Sequence, residues 1–319
     1  MSAADEKSVV REPIDAILQK VLEAVPFQLT TDGGPEAARR RFAELPRREV
    51  HPEVRSEDHV IDGPDGPIPT RVYWPPEADG TTVPVVVYLH GGGWSVGDLD
   101  TYDGTARMHA VGAGAVVVSV DYRLAPEHPY PAAVDDAWAA TRWVGQHAAE
   151  LGADPARLAV AGDSAGGNLA AVVAQLARDT GGSPIAFTLL WYPSTTFDTT
   201  LPSFAENADA PVLNLAACSG YTRWYIGDLD MSDPPATLVP ARAKDLSGLP
   251  PTYVAVAGHD PLRDDGIRYA ELLAAAGVSV DLHNAEALVH GYLAYAGVVP
   301  AATEAADRGL AVLRDVLHR

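Results

Sequence analysis

Apolar positions follow two rhythms along the chain. Ile14, Ile17, Leu18, Val21, Leu22 and Val25 recur at spacings of three and four after Pro13, which predicts an amphipathic helix over 14–25. A second short helix is predicted over 35–45, closed by Pro46. Strand-like alternation then runs over 49–61, turns through Asp62-Gly63-Pro64-Asp65-Gly66-Pro67 and returns over 68–73, the pattern of a hairpin leading into a sheet.

From Val83 onward the rhythm changes. Apolar runs without alternation at 83–89, 115–120, 158–161, 185–191, 252–257 and 278–282 are interleaved with helical patterns at 101–111, 132–151, 169–178, 262–276 and 303–317. Strands apolar at every position are buried on both faces, as parallel strands between two helix layers are. The expected architecture is α/β: an eight-stranded, mostly parallel, doubly wound sheet whose first pair is antiparallel. Residues 194–249 break the rhythm, with no strand pattern but with Phe197, Phe204, Tyr221, Trp224 and Tyr225. Long insertions of this kind serve as lids or binding loops, and a helix is expected over 215–225 within it.

The strongest chemical signal lies between a strand and a helix. Val160-Ala161-Gly162-Asp163-Ser164-Ala165-Gly166-Gly167-Asn168 contains G-x-S-x-G, preceded by a strand pattern and followed by an alanine-rich helical run. In such a turn the glycines let strand and helix approach while the serine hydroxyl is pushed outward. A serine needs a base to become a nucleophile and an acid to orient that base, and on this scaffold the chain order is Ser, Asp or Glu, His. That order leaves His283, His290 and His318. His290, in a post-strand loop beside Gly291, is the expected base. Asp260, first past the seventh strand, is the expected acid, although Asp before Pro261 also suits a helix N-cap; Asp264 is the fallback. His90-Gly91-Gly92-Gly93-Trp94 follows the third strand and exposes backbone N–H groups. Gly91, Gly92 and Ala165 are the expected oxyanion donors. Trp94, Tyr192, Phe204 and Tyr221 are the candidate substrate contacts.

Composition narrows the field of functions. The 319 residues, 47% hydrophobic, suffice for a substantial core, and a formal charge of −20 disfavours nucleic acid and anionic membranes as partners. A small neutral or cationic molecule fits better. Cys218 is the single cysteine, so no internal disulfide forms. The first thirty residues carry Asp5, Glu6, Lys7, Arg11, Glu12 and Asp15 and lack the apolar core of a signal peptide, so a cytoplasmic protein is expected. Gly112-Ala113-Gly114 precedes a strand, unlike a dinucleotide fingerprint, and neither H-E-x-x-H nor a Walker sequence occurs. No metal and no cofactor is expected.

With these residues in place, the chain resembles the hormone-sensitive lipase family of bacterial esterases, the family IV carboxylesterases. The resemblance covers the chain from about residue 50 and rests on His90 to Trp94, Asp121-Tyr122-Arg123-Leu124-Ala125-Pro126-Glu127-His128-Pro129, Gly162 to Asn168, Asp260 to Asp264, and His290-Gly291. It implies the α/β-hydrolase fold with a helical cap and a triad of Ser164, Asp260 and His290. The domain expectation is helices in residues 1–48 contributing to the cap and a catalytic domain over 49–319, with 195–228 as the cap insertion. The expected activity is hydrolysis of short- to medium-chain acyl esters through an acyl-enzyme, with a small-molecule ester as partner and a homodimer left open. The alternatives are a non-catalytic ligand-binding protein on this scaffold, and an amidase or transacylase using the same triad.

Overall fold

The computed structural model describes residues 11–78 and 80–319. Helix α1 (Ala16–Ala24) begins at Asp15, whose carboxylate accepts the N–H groups of Ile17 and Leu18 at 2.9 Å. Helix α2 (Pro35–Ala43) starts on its proline. The expected strand over 49–61 begins later, as β1 (Arg55–Gly63). Pro52, which has no N–H to donate, lies inside a turn closed by Val54 N–H on the His51 carbonyl, so the strand starts only after it. β2 (Gly66–Trp74) completes the hairpin, with Gly63 opposite Gly66.

The sheet is built next. β3 (Val83–Leu89), α3 (Asp103–Ala113), β4 (Val116–Val120), α4 (Ala132–His147), β5 (Ala153–Asp163), α5 (Ala165–Thr180) and β6 (Phe187–Trp191) follow in chain order. The chain then continues through α6 (Pro202–Glu206), α7 (Leu215–Ile226), β7 (Thr252–His259), α8 (Arg263–Ala275), β8 (Val280–Val289) and α9 (Pro300–Leu317). Eight strands lie in the order β1-β2-β4-β3-β5-β6-β7-β8. β2 is antiparallel to both β1 and β4, and the remaining joins are parallel.

The unalternating apolar runs have the expected cause. Val85, Val87 and Leu89 of β3 enter the core beneath α4 and α5, while Val86 and Tyr88 enter the opposite core beneath α3 and α9. β8 extends well past the expected 278–282. As an edge strand it carries Asp281, His283 and Asn284, which hide its continuation in a hydropathy pattern. His283 is therefore inside the strand, opposite Ala255.

A third, smaller cluster joins α2, α6 and α7: Ala38, Val96, Phe204, Leu213, Ala217 and Tyr221 pack together with Leu262. The short α6 went unpredicted, because five residues are too few for a helical period. Among the described residues no helix is long and apolar enough to cross a membrane.

Candidate active site

β5 ends at Asp163, and α5 begins at Ala165. Ser164 between them has φ 56° and ψ −117°, a conformation that costs a non-glycine residue on the order of 1–3 kcal/mol. It is held by Ser164 N–H donating to the Trp191 carbonyl at 2.8 Å and by its own carbonyl accepting from Asn168 N–H at 3.0 Å. A Cβ at Gly162 would strike the Gly166 carbonyl, and one at Gly166 would strike the Leu89 carbonyl. Both glycines are thus required by backbone approach.

Ser164 Oγ lies 2.9 Å from His290 Nε2, and His290 Nδ1 lies 2.6 Å from Asp260 Oδ2. With its proton on Nδ1, facing the carboxylate, the imidazole presents Nε2 as the acceptor of the serine hydroxyl. His290 follows β8 directly, and Asp260 follows β7. Asp260 also accepts the Leu262 N–H at 2.8 Å through Oδ1, so its helix-capping bond and its histidine bond use different oxygens. Asp264 instead accepts from Ser203 N–H and pairs with Arg263. His318 donates to the Ala113 carbonyl at 3.0 Å, far from this arrangement in the chain packing.

The glycine loop departs from expectation at one residue. Gly91 N–H donates to Asp163 Oδ1 at 2.8 Å and is therefore already committed. Gly92 and Gly93, at φ 107° and 58°, turn the loop, and the Gly92 carbonyl accepts from Ser95 and Val96. Among the described residues, the N–H groups of Gly92, Gly93 and Trp94 in this loop have no acceptor, and neither does that of Ala165 beside the serine. Ala165 is free because it opens α5, where the first amides of a helix have no partner in the helix.

Asp163 was not singled out from the sequence. It is buried and also accepts from the Tyr88 hydroxyl at 2.6 Å and the Tyr102 hydroxyl at 3.4 Å. Burial pushes its carboxyl up to about 6 despite these donors. An acidic residue flanking the serine at the buried end of a strand was the available signal. His90 stacks on Tyr122 with ring centroids 4.3 Å apart, and burial pushes its imidazole down to about 4, so it is neutral.

A cavity of about 300 Å³ opens onto Ser164, bounded by Trp94, Phe197, Phe204, Tyr221 and Leu262 among others. Trp94 stacks on Tyr225 at 4.2 Å with the rings within 2° of parallel. Tyr192, a candidate substrate contact, does not line this cavity. Following β6 with its N–H on the Ala255 carbonyl, it is turned behind the site and meets His290 edge-on at 4.8 Å. Asp265 does line the cavity, and its Oδ2 has no partner among the described residues. No cluster of three or more His, Cys, Asp or Glu fit for a metal occurs among the described residues.

Against known proteins, the family described as the alpha/beta hydrolase fold matches residues 86–294. The chain belongs to the α/β-hydrolase family, in its hormone-sensitive lipase branch. This α/β hydrolase is 65% identical to Esterase LipI of Mycobacterium tuberculosis over 99% of its own length and 98% of that protein. It is 59% identical to Carboxylesterase NlhH of the same species, covering 98% and 99% of the two chains. Among solved structures, a thermostable esterase from Pseudomonas putida ECU1011 superposes with a TM-score of 0.90 at 33% identity, over 99% of each chain.

Proposed function

We infer that this α/β hydrolase is a carboxylic ester hydrolase, and we propose that Ser164, His290 and Asp260 are its catalytic triad. His290 takes the hydroxyl proton through Nε2 as Ser164 Oγ attacks the acyl carbonyl. Asp260 orients the imidazole and stabilises its charged form. The oxyanion that develops is bound by the N–H groups of Gly92, Gly93 and Ala165, and the imidazolium then protonates the departing alcohol. Water, deprotonated by the same histidine, attacks the acyl-enzyme and restores the serine. The observation that carries this reading is the continuous chain of 2.9 Å and 2.6 Å contacts at a cavity, beside the unpaired N–H groups of Gly92, Gly93 and Ala165.

The cavity volume of about 300 Å³ favours short- to medium-chain acyl esters. Its roof is the proposed cap, formed by α2 with α6 and α7 of the 195–228 insertion; residues 1–10 of the expected N-terminal unit lie outside the described residues. The acidic surface and single Cys218 fit a cytoplasmic enzyme. The test is hydrolysis of p-nitrophenyl butyrate by the wild type and Ser164→Ala. Loss of roughly 10⁵–10⁶ in kcat is expected for the variant. Equal rates would remove Ser164 as the nucleophile, and a folded wild type without activity would remove ester hydrolysis itself.

A further inference from the structure

We propose that Arg39, on α2 and outside the matched hydrolase segment, is a positioning residue for the oxyanion loop. The cap helix is then a structural part of the oxyanion hole as well as a cover for the cavity. This inference rests on the ester-hydrolase reading above.

Trp94 packs on Phe197 and Tyr225, but few hydrogen bonds besides those of Arg39 tie the loop to the rest of the protein. Residues 91–96 form a glycine-rich turn whose internal bonds, from Ser95 and Val96 to the Gly92 carbonyl, fix its curvature but not its position on the protein. Its beginning is tied to the elbow by Gly91 N–H on Asp163. Beyond the two donor glycines, the Trp94 carbonyl accepts from Ala125 N–H at 2.8 Å. The next carbonyl, that of the fully buried Ser95, accepts from Arg39 Nε at 2.9 Å. The same guanidinium donates to the Ala125 carbonyl at 3.0 Å and forms a two-pronged pair with Glu127, at 3.0 and 2.5 Å. One rigid planar group therefore joins α2, the end of the oxyanion loop and the loop that carries Glu127.

A second contact from α2 reaches the other end of the same loop. Phe42 stacks on Tyr102 at 6.0 Å, and the Tyr102 hydroxyl donates to Asp163, the acceptor of Gly91 N–H. Gly92 and Gly93 lie between two anchor points that are both supported by one helix. Tilting their peptide planes lengthens the bonds to a developing oxyanion, which transition-state stabilisation tolerates poorly, because the donors must be organised before the charge appears. Glu127, drawn below the usual carboxylate range by its bonds to Arg39, keeps the pair ionised through the neutral region.

The test compares Arg39→Met, which keeps the aliphatic stem, with Arg39→Lys and Glu127→Gln. kcat and KM for p-nitrophenyl butyrate are measured beside affinity for an alkyl boronic acid, which adds to the serine as a tetrahedral mimic of the transition state. Expected for Arg39→Met is a fall in kcat of about 10–100-fold, matched by a similar loss of boronate affinity, with KM within about twofold. Arg39→Lys recovers part of both. A helix that only covers the cavity predicts the reverse, a raised KM with kcat and boronate affinity kept, and that result overturns the proposal. Should Arg39→Met fail to fold, Glu127→Gln decides: a kcat loss of about threefold, tracked by boronate, supports the inference, and wild-type values for both refute it. A wild type inactive on esters sinks the esterase reading and this inference with it, whereas an active wild type matched by Arg39→Met sinks this inference alone.

Discussion

Asp163 Oδ1 accepts the Gly91 N–H at 2.8 Å, which joins the residue before Ser164 to the first glycine of the facing loop. The bond sets the distance between elbow and loop, and it withdraws Gly91 from the set of free donors. The proposed oxyanion hole is therefore one residue further along, at Gly92 and Gly93.

That bond predicts different outcomes for two substitutions at one position. Asp163→Asn keeps an oxygen for Gly91 N–H and Tyr88, so kcat is expected to stay within a few fold of wild type. Asp163→Ala leaves both donors and the Tyr102 hydroxyl unpaired in a buried site, at a stability cost of about 1–3 kcal/mol, and kcat is expected to fall about 10–100-fold. Steady-state kinetics on the two variants checks this; equal losses in both would mean that the charge of Asp163, not its role as an acceptor, matters.

A pH dependence follows from Asp265. Its buried carboxyl is pushed up to about 6 from an ordinary 3.8, so the folded protein holds a proton that the unfolded chain releases over that range. The stability contributed by this proton is complete below about pH 4 and is lost as the pH rises through 6. Asp265→Asn retains an oxygen for the Thr195 and Thr196 N–H groups, which donate to Oδ1 at 2.6 and 2.9 Å, but has no such titration. Its stability relative to wild type is expected to rise between pH 4 and 7 by on the order of 3 kcal/mol, then level off. Urea unfolding at several pH values measures the difference, and a pH-independent offset would contradict it.

The cavity wall predicts chain-length selectivity. Phe204 bounds the cavity together with Leu213 and Leu262, so Phe204→Ala opens space where a longer acyl or alcohol chain can lie. The ratio of kcat/KM for octanoate over butyrate esters is expected to rise about tenfold, the gain from burying one or two further methylenes at about 0.8 kcal/mol each. An unchanged ratio would put the chain elsewhere.

Much of this fold was legible because its strands are buried on both faces. β3 is apolar at every position, and its predicted bounds, 83–89, match the structure. β8 was half hidden because an edge strand keeps polar side chains, and α6 because it is shorter than two turns. Ser164, Asp260 and His290 could be chosen from chain order together with their places just past strand ends, since order by itself left three histidines, and the structure brings the three into hydrogen-bond contact.

By itself the sequence determined the layer order, the elbow and the identity of the candidate acid, base and nucleophile. These depend on local pattern and on sequence order. Only the tertiary structure decided that Gly91 is spent on Asp163, that Tyr192 stands behind His290 instead of in the cavity, and that Arg39 reaches Ser95. Each of those is a contact between residues distant in the chain, settled by which N–H finds which acceptor once the sheet has closed, and a spacing pattern carries no record of such pairings.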